Sequence, residues 1–128
     1  MKQKITTNQA PQAIGPYSQG ITAGNFIFTA GQIPMTADGK LLAGSIEDKM
    51  HQVMKNLEEI LKAAGATFAD VVKTTAYVTD ITMLERINKI YSTYMIEPYP
   101  ARETVCVKKL PRGVIIEISM IAVKPLKD

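Results

Sequence analysis

The feature that most constrains the fold is one apolar stripe of helical spacing in the middle of the chain. Its members recur at intervals of three and four, at Ile46, Met50, Val53, Met54, Leu57, Ile60, Leu61 and Ala64. Ser45 can cap the start, with Asp48 completing a capping box, and Gly65 can follow the end. A stripe of this kind buries one face of a helix and leaves the other in water. The pattern therefore predicts a long amphipathic helix that needs a partner layer.

The segments around this helix are short and rich in β-branched residues, which is typical of strands. Strands are predicted near residue 5 and at 21–23, 26–30, 71–79, 102–108 and 114–123. A second helix is predicted between Asp80, as its N-cap, and Pro98. The order β-β-β-α-β-α-β-β indicates an α+β domain, with about six strands in a mixed sheet and two helices on one face. At 128 residues the chain fits a single domain, residues 1–128.

The last strand predicts self-association. Alternation directs Ile115 and Ile121 to one face of the sheet. The other face receives Ile116, Ile118 and Met120. Two helices can cover only one of these faces, so the second apolar face would meet water in a single copy. We therefore expect a homo-oligomer in which sheets pack together.

Composition excludes several classes of protein. Hydrophobic residues make up 46% and charged residues 21%, which is typical of a globular and not a disordered chain. No apolar stretch approaches the roughly 20 residues of a membrane span, and the N-terminus lacks the apolar core of a secretory signal. With one cysteine and no possible intrachain disulfide, we expect a cytoplasmic protein that does not bind membranes. The net charge of +3 argues neither for nor against an anionic partner. The 6% aromatic content, the absence of Trp and the lack of a dense basic stripe argue against a nucleic-acid partner.

The common catalytic constellations are missing from the sequence. One histidine and one cysteine cannot form the usual zinc sites, and there is no glycine-rich phosphate loop. His51 lies beside the apolar stripe and is predicted to be a solvent-facing residue and not a base. Cys106 is predicted to be a small buried side chain. Lys108, Lys109 and Arg112 flank a predicted turn and are interpreted as a solvated hairpin tip.

A polar cluster is predicted in the two C-terminal strands. With a turn at residues 109–112, the strands would form a hairpin in which Thr104 lies opposite Glu117. Arg102 would lie opposite Ser119, and alternation would place all four side chains on one face.

Two interpretations of this cluster stay open. Arg102 and Glu117 could be a structural ion pair, which is common in partly buried strands. Alternatively, the guanidinium grips a carboxylate at two points while the neighbouring carboxylate orients a water and takes up its proton. The second interpretation suits a small 2-oxo or 2-imino acid.

Four motifs are spaced along nearly the whole chain. They are residues 13–20 (Ala-Ile-Gly-Pro-Tyr-Ser-Gln-Gly), 28–34 (Phe-Thr-Ala-Gly-Gln-Ile-Pro), 72–78 (Val-Lys-Thr-Thr-Ala-Tyr-Val) and a C-terminal pattern at 100–104, 110–111 and 116–118. In this order they resemble the Rid family, the YjgF-type reactive-intermediate deaminases. Relatives often carry Ser where this chain has Ala30 and Cys where it has Thr104. These two departures leave the preferred substrate open.

The resemblance implies a chorismate-mutase-like fold and a homotrimer with three clefts between subunits. It implies that Arg102 binds the substrate carboxylate and that Glu117 holds and activates a water. Tyr17 and the backbone of Gly31 would position the imine. Further positions that would line the cleft are Asn88 and Thr104.

The implied reaction needs no cofactor. Its substrates would be 2-aminoacrylate, its tautomer 2-iminopropanoate, or the four-carbon 2-iminobutanoate, and water would convert them to 2-keto acids and ammonia. Two other functions stay open. One is an RNA-cleaving or translation-inhibiting protein, an activity assigned to some relatives. The other is a non-catalytic sensor of 2-keto acids that keeps Arg102 as a ligand clamp.

Overall fold

Six strands and two helices make up most of the computed structural model, which describes residues 1–125. The strands are β1 (Lys2–Ile5), β2 (Gly20–Ala23), β3 (Phe26–Thr29), β4 (Val71–Val78), β5 (Ala101–Cys106) and β6 (Ile116–Val123). The helices are α1 (Ile46–Ala63) and α2 (Leu84–Tyr94). They pack together on one face of a sheet whose order is β1-β2-β3-β6-β4-β5, which confirms the predicted α+β class and element order. Neither helix has the length and apolar character needed to cross a bilayer.

The capping box predicted for α1 is confirmed. The Ser45 hydroxyl accepts a hydrogen bond from the Asp48 N–H (3.0 Å), and the Asp48 carboxylate accepts one from the Ser45 N–H (3.4 Å). Each bond satisfies an N–H that the first turn leaves without a helical partner. The stripe then lies buried against the sheet, at Met50, Val53, Met54, Leu57, Ile60 and Leu61.

The second helix begins later than predicted. Asp80 caps a separate turn of 3₁₀ helix, Ile81–Met83, by accepting a hydrogen bond from the Thr82 N–H (3.0 Å). Helix α2 starts only after this turn. Its Arg86 makes a two-point contact with Glu47 in the first turn of α1 (Nε to Oε2, 2.7 Å), and this hydrogen bonding lowers the pKa of Glu47 to about 2. The contact ties α2 to the start of α1.

The predicted C-terminal hairpin is wrong, because β4 lies between β5 and β6. Strand β5 follows β4 through α2, and such a crossover returns the chain to the same end of the sheet, so β5 runs parallel to β4. Residues 107–115 then carry the chain past β4 to its other side, where β6 pairs antiparallel. A connection that skips a strand in this way leaves no tight hairpin turn at residues 109–112.

This pairing also overturns the prediction that four polar side chains share one face. Arg102 pairs with Thr74 of β4, and paired residues point to the same side, so Arg102 and Thr104 face the helices. Glu117 pairs with Tyr77, and with Ser119 it faces away from the helices. Alternation correctly grouped the residues within each strand. The relation between the two strands depended on the strand between them, which the sequence pattern did not reveal.

The face of the sheet turned away from the helices stays partly apolar and open to solvent. Ile116, Ile118 and Met120 are buried on the helix side, as predicted. On the open side, Phe26 is 49% exposed and Phe28 41% exposed. Such a surface is typical of one that meets another protein chain, and association of copies stays a prediction at this point.

Candidate active site

The first group of candidate residues surrounds Arg102 on the helix side of the sheet edge. Nη1 of Arg102 donates a hydrogen bond to Oδ1 of Asn88 (2.7 Å), and its Cζ lies 5.0 Å from the centre of the Tyr91 ring. Asn88 and Tyr91 are three residues apart on α2 and so share one side of the helix. Within residues 1–125, Nε and Nη2 of Arg102 make no hydrogen bond, which leaves them free for a ligand. We call Arg102, Asn88 and Tyr91 the edge half-site.

Tyr91 is itself held in place by a hydrogen bond to β4. Its hydroxyl donates a hydrogen bond to Oγ1 of Thr74 (3.0 Å), and both side chains are buried. Burial raises the pKa of Tyr91, although the Thr74 hydrogen bond and the charge of Arg102 act in the opposite direction. The phenol therefore stays neutral at physiological pH, with a guanidinium beside its ring.

Two further side chains lie on this side of β5. Thr104 pairs with Ala76 and is half-buried. Cys106 pairs with Val78 and is exposed, so the prediction of a buried cysteine is wrong. The reason is its place at the end of β5, the outermost strand, which has a neighbouring strand on one side only.

The second group of candidate residues lines a cavity of about 660 Å³ that includes Glu117. Tyr17, Gly31 and Glu117, three of the residues predicted from the sequence, lie together there. Its walls are mainly apolar, and include Ile14, Ile33, Met35 and Pro111. We call the residues that line this cavity the cavity half-site.

Gly31 lies beside Glu117 because the pairing of β3 with β6 changes register. Phe28 pairs with Ile121, whereas the isolated bridge further on joins Gln32 to Ile118, one residue out of step. A bulge of this kind redirects the chain next to a site. A Cβ built on Gly31 would overlap the Glu117 carboxyl group, with Cδ at 2.8 Å, so only glycine allows this approach without a shift.

Burial raises the pKa of the Glu117 carboxyl group above its ordinary value. Glu117 forms no ion pair within residues 1–125. A carboxylate removed from water without a cation holds its proton more strongly, which brings it closer to the pH at which it can exchange protons with a substrate.

Tyr17 is carried by an irregular loop that a buried glutamine holds in place. Tyr17 is 56% exposed, and its hydroxyl accepts a hydrogen bond from the Ile14 N–H (3.3 Å). The Gln19 amide donates to the carbonyls of Thr7 (3.0 Å) and Pro11 (2.8 Å), and its Oε1 accepts from the Thr7 N–H (2.8 Å). Sequence reasoning missed this role of Gln19. The available signal was a strong hydrogen-bonding side chain in a segment without strand or helix partners for its backbone.

Arg112 and Asn56 are two more residues that sequence reasoning missed. Arg112 is exposed, as its interpretation as a solvated residue requires, but it also lines the cavity, and its turn is not the tip of a hairpin. It lies in the turn Pro111–Gly113 with a left-handed φ of 61°. Asn56 is buried, and its Nδ2 donates to the carbonyls of Met35 (2.9 Å) and Ile33 (3.3 Å), which fixes one cavity wall to α1. A polar residue inside the apolar stripe was the signal for Asn56.

The predicted site is therefore divided within one chain. Tyr17, Gly31 and Glu117 meet in the cavity half-site, whereas Arg102, Asn88 and Thr104 lie on the opposite face of the sheet, with β4 between. We find no contact between Arg102 and Glu117, which excludes a structural ion pair inside one chain.

Other features lie outside both half-sites. His51 is exposed, as predicted, and its Nδ1 lies 2.7 Å from the Tyr94 hydroxyl. Residues 1–125 contain no group of three His, Cys, Asp or Glu side chains placed to hold a metal ion. A cavity of about 670 Å³ beside β1 and the end of α1 is lined by Lys4 and Lys124 and contains no candidate residue.

Comparison with known proteins gives a consistent result. Residues 7–124 match the family described as endoribonuclease L-PSP. The RutC family protein PH0854 of Pyrococcus horikoshii is 47% identical over 125 residues, which cover 97% of this chain and 99% of that protein. The human 2-iminobutanoate/2-iminopropanoate deaminase is 42% identical over 97% of this chain and 91% of its own length. The structure of Escherichia coli TdcF with bound serine is 35% identical with a TM-score of 0.90, covering 96% of this chain and 99% of that one.

Proposed function

Since the chain belongs to the Rid (YjgF/RutC) family, whose family model is described as endoribonuclease L-PSP, we propose that it hydrolyses small 2-imino acids to 2-keto acids and ammonia. The substrates are 2-aminoacrylate with its tautomer 2-iminopropanoate, and 2-iminobutanoate. The observation that carries the proposal is the pair of half-sites, one with a positioned guanidinium and the other with a half-buried carboxyl group. Human and rodent relatives that are 42–44% identical bear the name of this activity.

The proposal requires two copies of the chain. Arg102 and Glu117 face opposite sides of one sheet, but β5 is the outermost strand, so Arg102 can project over its edge into another copy. The open apolar face around Phe28 supports such a contact. We infer that the edge half-site of one copy closes the cavity half-site of the next, and that three such contacts form a ring.

The chemistry follows from the two charges. The guanidinium of Arg102 binds the substrate carboxylate through Nε and Nη2, while Nη1 stays on Asn88. The backbone of Gly31, together with Tyr17 on its loop, positions the imine beside Glu117. Thr104 flanks the carboxylate from the same face of β5.

The reaction then needs one water. The Glu117 carboxylate takes a proton as the water oxygen attacks C2 of the iminium. Glu117 returns that proton to the nitrogen and then takes the hydroxyl proton as the C–N bond breaks and the C=O bond forms. Ammonia leaves and receives this second proton, so the products are a 2-keto acid and ammonium, and Glu117 is again a carboxylate. Holding the reactants in register can lower a barrier by up to ~7–11 kcal/mol, so the proposed reaction uses neither a cofactor nor a covalent nucleophile.

Two alternatives keep specific support. The family description names an endoribonuclease, and a non-catalytic sensor of 2-keto acids could use the same guanidinium. We favour the deaminase because the cavity is mainly apolar and its charged lining residues are Glu117 and Arg112, which gives no track for a phosphate backbone. RNA cleavage that is lost in Arg102→Ala would reverse this preference. A cytoplasmic location stays a prediction.

The first experiment measures turnover. An amino-acid oxidase generates 2-iminopropanoate, semicarbazide traps it, and added protein should reduce trapping. Arg102→Ala should lose about 10²-fold in activity, because the carboxylate is no longer positioned. Arg86→Ala, a matched loss of a surface guanidinium, is the control. Equal trapping with wild type and Arg102→Ala would reject the deaminase and leave the sensor.

The second experiment tests whether the site is shared between copies. Arg102→Ala and Glu117→Gln chains are each inactive alone, and are unfolded and refolded together in equal amounts. In a ring with head-to-tail contacts, about a quarter of the interfaces then combine an intact Arg102 with an intact Glu117. We expect about a quarter of the wild-type activity to return. No recovery, in a mixture shown to contain hybrid oligomers, would place the whole site within one chain.

A further inference from the structure

We propose that Tyr91 is a positioning residue, whose ring holds the Arg102 guanidinium in the orientation that binds a carboxylate. The inference rests on the proposed function, because the role it assigns to Tyr91 is to orient Arg102 for binding of the substrate carboxylate. Tyr91 itself touches no substrate in this scheme.

The guanidinium is held from two directions. Asn88 fixes one nitrogen through the 2.7 Å hydrogen bond to Nη1. The Tyr91 ring lies beside the plane of positive charge, with 5.0 Å between Cζ and the ring centre. A cation at this distance is attracted by the negative face of the ring. One contact alone would leave Arg102 free to rotate, whereas the two together select one orientation.

The ring is a rigid support because it cannot easily move. Tyr91 is 8% exposed and Thr74 is fully buried. The 3.0 Å hydrogen bond between their hydroxyl groups joins α2 to β4. Thr74 is also the residue that pairs with Arg102 across the two parallel strands. The support and the group it supports are therefore anchored to the same position of β4.

This arrangement also leaves the binding groups free. Arg102 lies at an exposed edge, where its flexible side chain would otherwise lose rotational freedom when it binds. Because Nη1 is hydrogen-bonded and the ring lies against the guanidinium, much of this rotational freedom is already lost before the ligand binds. Nε and Nη2 stay available for the two oxygens of a carboxylate.

The test compares three variants for the binding of pyruvate and 2-ketobutyrate by calorimetry. Tyr91→Leu removes the ring and should weaken binding about three- to tenfold. Tyr91→Phe keeps the ring and should bind within about twofold of wild type. Tyr94→Leu, a matched change one turn further along α2 where the ring contacts His51 and Phe68, should bind like wild type. In the trapping assay, Tyr91→Leu should raise KM more than it lowers kcat.

A double-mutant comparison separates positioning from general packing. In the Arg102→Ala background, Tyr91→Leu should have no further effect on binding, since the ring acts through Arg102. Unchanged binding in folded Tyr91→Leu, or an equal effect with and without Arg102, would overturn the inference.

One measurement does not depend on how the variant folds. In the wild-type protein, NMR signals of the Arg102 side chain should shift upfield from the usual arginine values because they lie by an aromatic ring. Ordinary shifts would overturn the inference, as would failure of the wild-type protein to bind either 2-keto acid, which would also reject the proposed function. Binding without turnover would reject the deaminase alone.

Discussion

The two half-sites hold their charged groups in opposite ways. Arg102 in the edge half-site is exposed, yet it contacts Asn88 and Tyr91, so it is oriented before any ligand binds. Glu117 in the cavity half-site has no ion pair in residues 1–125, and burial raises its pKa. An oriented cation is suited to binding, and a half-buried acid with a raised pKa is suited to moving a proton. In the proposed scheme, carboxylate binding and proton transfer are therefore assigned to different half-sites.

The largest effect is expected from Glu117→Gln. Proton transfer by a positioned side chain contributes about 10²–10⁴-fold, so kcat should fall by that amount. Binding of pyruvate should stay within about threefold of wild type, because Arg102 provides it. Turnover and calorimetry are measured on the same preparation, with Glu85→Gln, an exposed acid on α2, as the control. A loss of affinity that accounts for the whole loss of activity would show that Glu117 acts in binding and not in proton transfer.

Gly31→Ala should lower kcat by about 10²-fold, because the new methyl group displaces the Glu117 carboxyl group from its reacting position. The obstructed atoms are at the end of a flexible side chain, so the melting temperature should change little. Circular dichroism melting curves and turnover measurements together distinguish displacement of Glu117 from loss of stability. A large fall in melting temperature, with normal turnover per folded chain, would show that Gly31 serves the fold and not the acid.

The pH dependence should report Glu117. Its pKa is raised by burial, so activity should fall as pH decreases through a value above the ordinary 4.5 of a glutamate, by about tenfold per unit below it. The same shift makes Glu117 stabilise the fold when protonated. That contribution is present below the unfolded pKa and is lost as pH rises through the folded pKa. Glu117→Gln should remove both dependences, and an acid limb that persists in this variant would have another origin.

The smallest effect is expected at Arg112. It is a cation on the lining of the cavity, so it should attract the anionic substrate without binding its carboxylate. Arg112→Asn should raise KM about two- to fivefold at low salt and have little effect at high salt, where screening removes the attraction. Asparagine tolerates the left-handed backbone found there. Lys109→Asn is the control, and a loss in Arg112→Asn that exceeds that of Arg102→Ala would move the carboxylate site to Arg112.

Local patterns predicted the elements of the fold but not their arrangement. The α1 boundaries followed from the Ser45 and Asp48 capping box and the apolar stripe, all of which act within a few residues. Strand β5 pairs with β4, which precedes it through α2, and not with β6, which follows it. This long-range pairing is not encoded in the local sequence of either strand. Because β4 lies between β5 and β6, Arg102 and Glu117 are not neighbours.

The same distinction applies to the site. Tyr17, Gly31 and Glu117 line one cavity, and only the family resemblance pointed to them as a group, because they come from three separate segments. Gln19 and Asn56 were not recognised, since a buried polar side chain shows its partners only when the chain has folded. Nothing in the pattern of the predicted second helix indicated that the Tyr91 ring would lie by a cation.

The placement of the two charged groups on opposite faces of one sheet has a consequence for a freshly synthesised chain. If copies share the site as proposed, a single chain carries two incomplete half-sites, so dilution should lower the specific activity while the circular dichroism spectrum is unchanged. The rate of the proposed reaction would then depend on the concentration of the chain as well as on its fold.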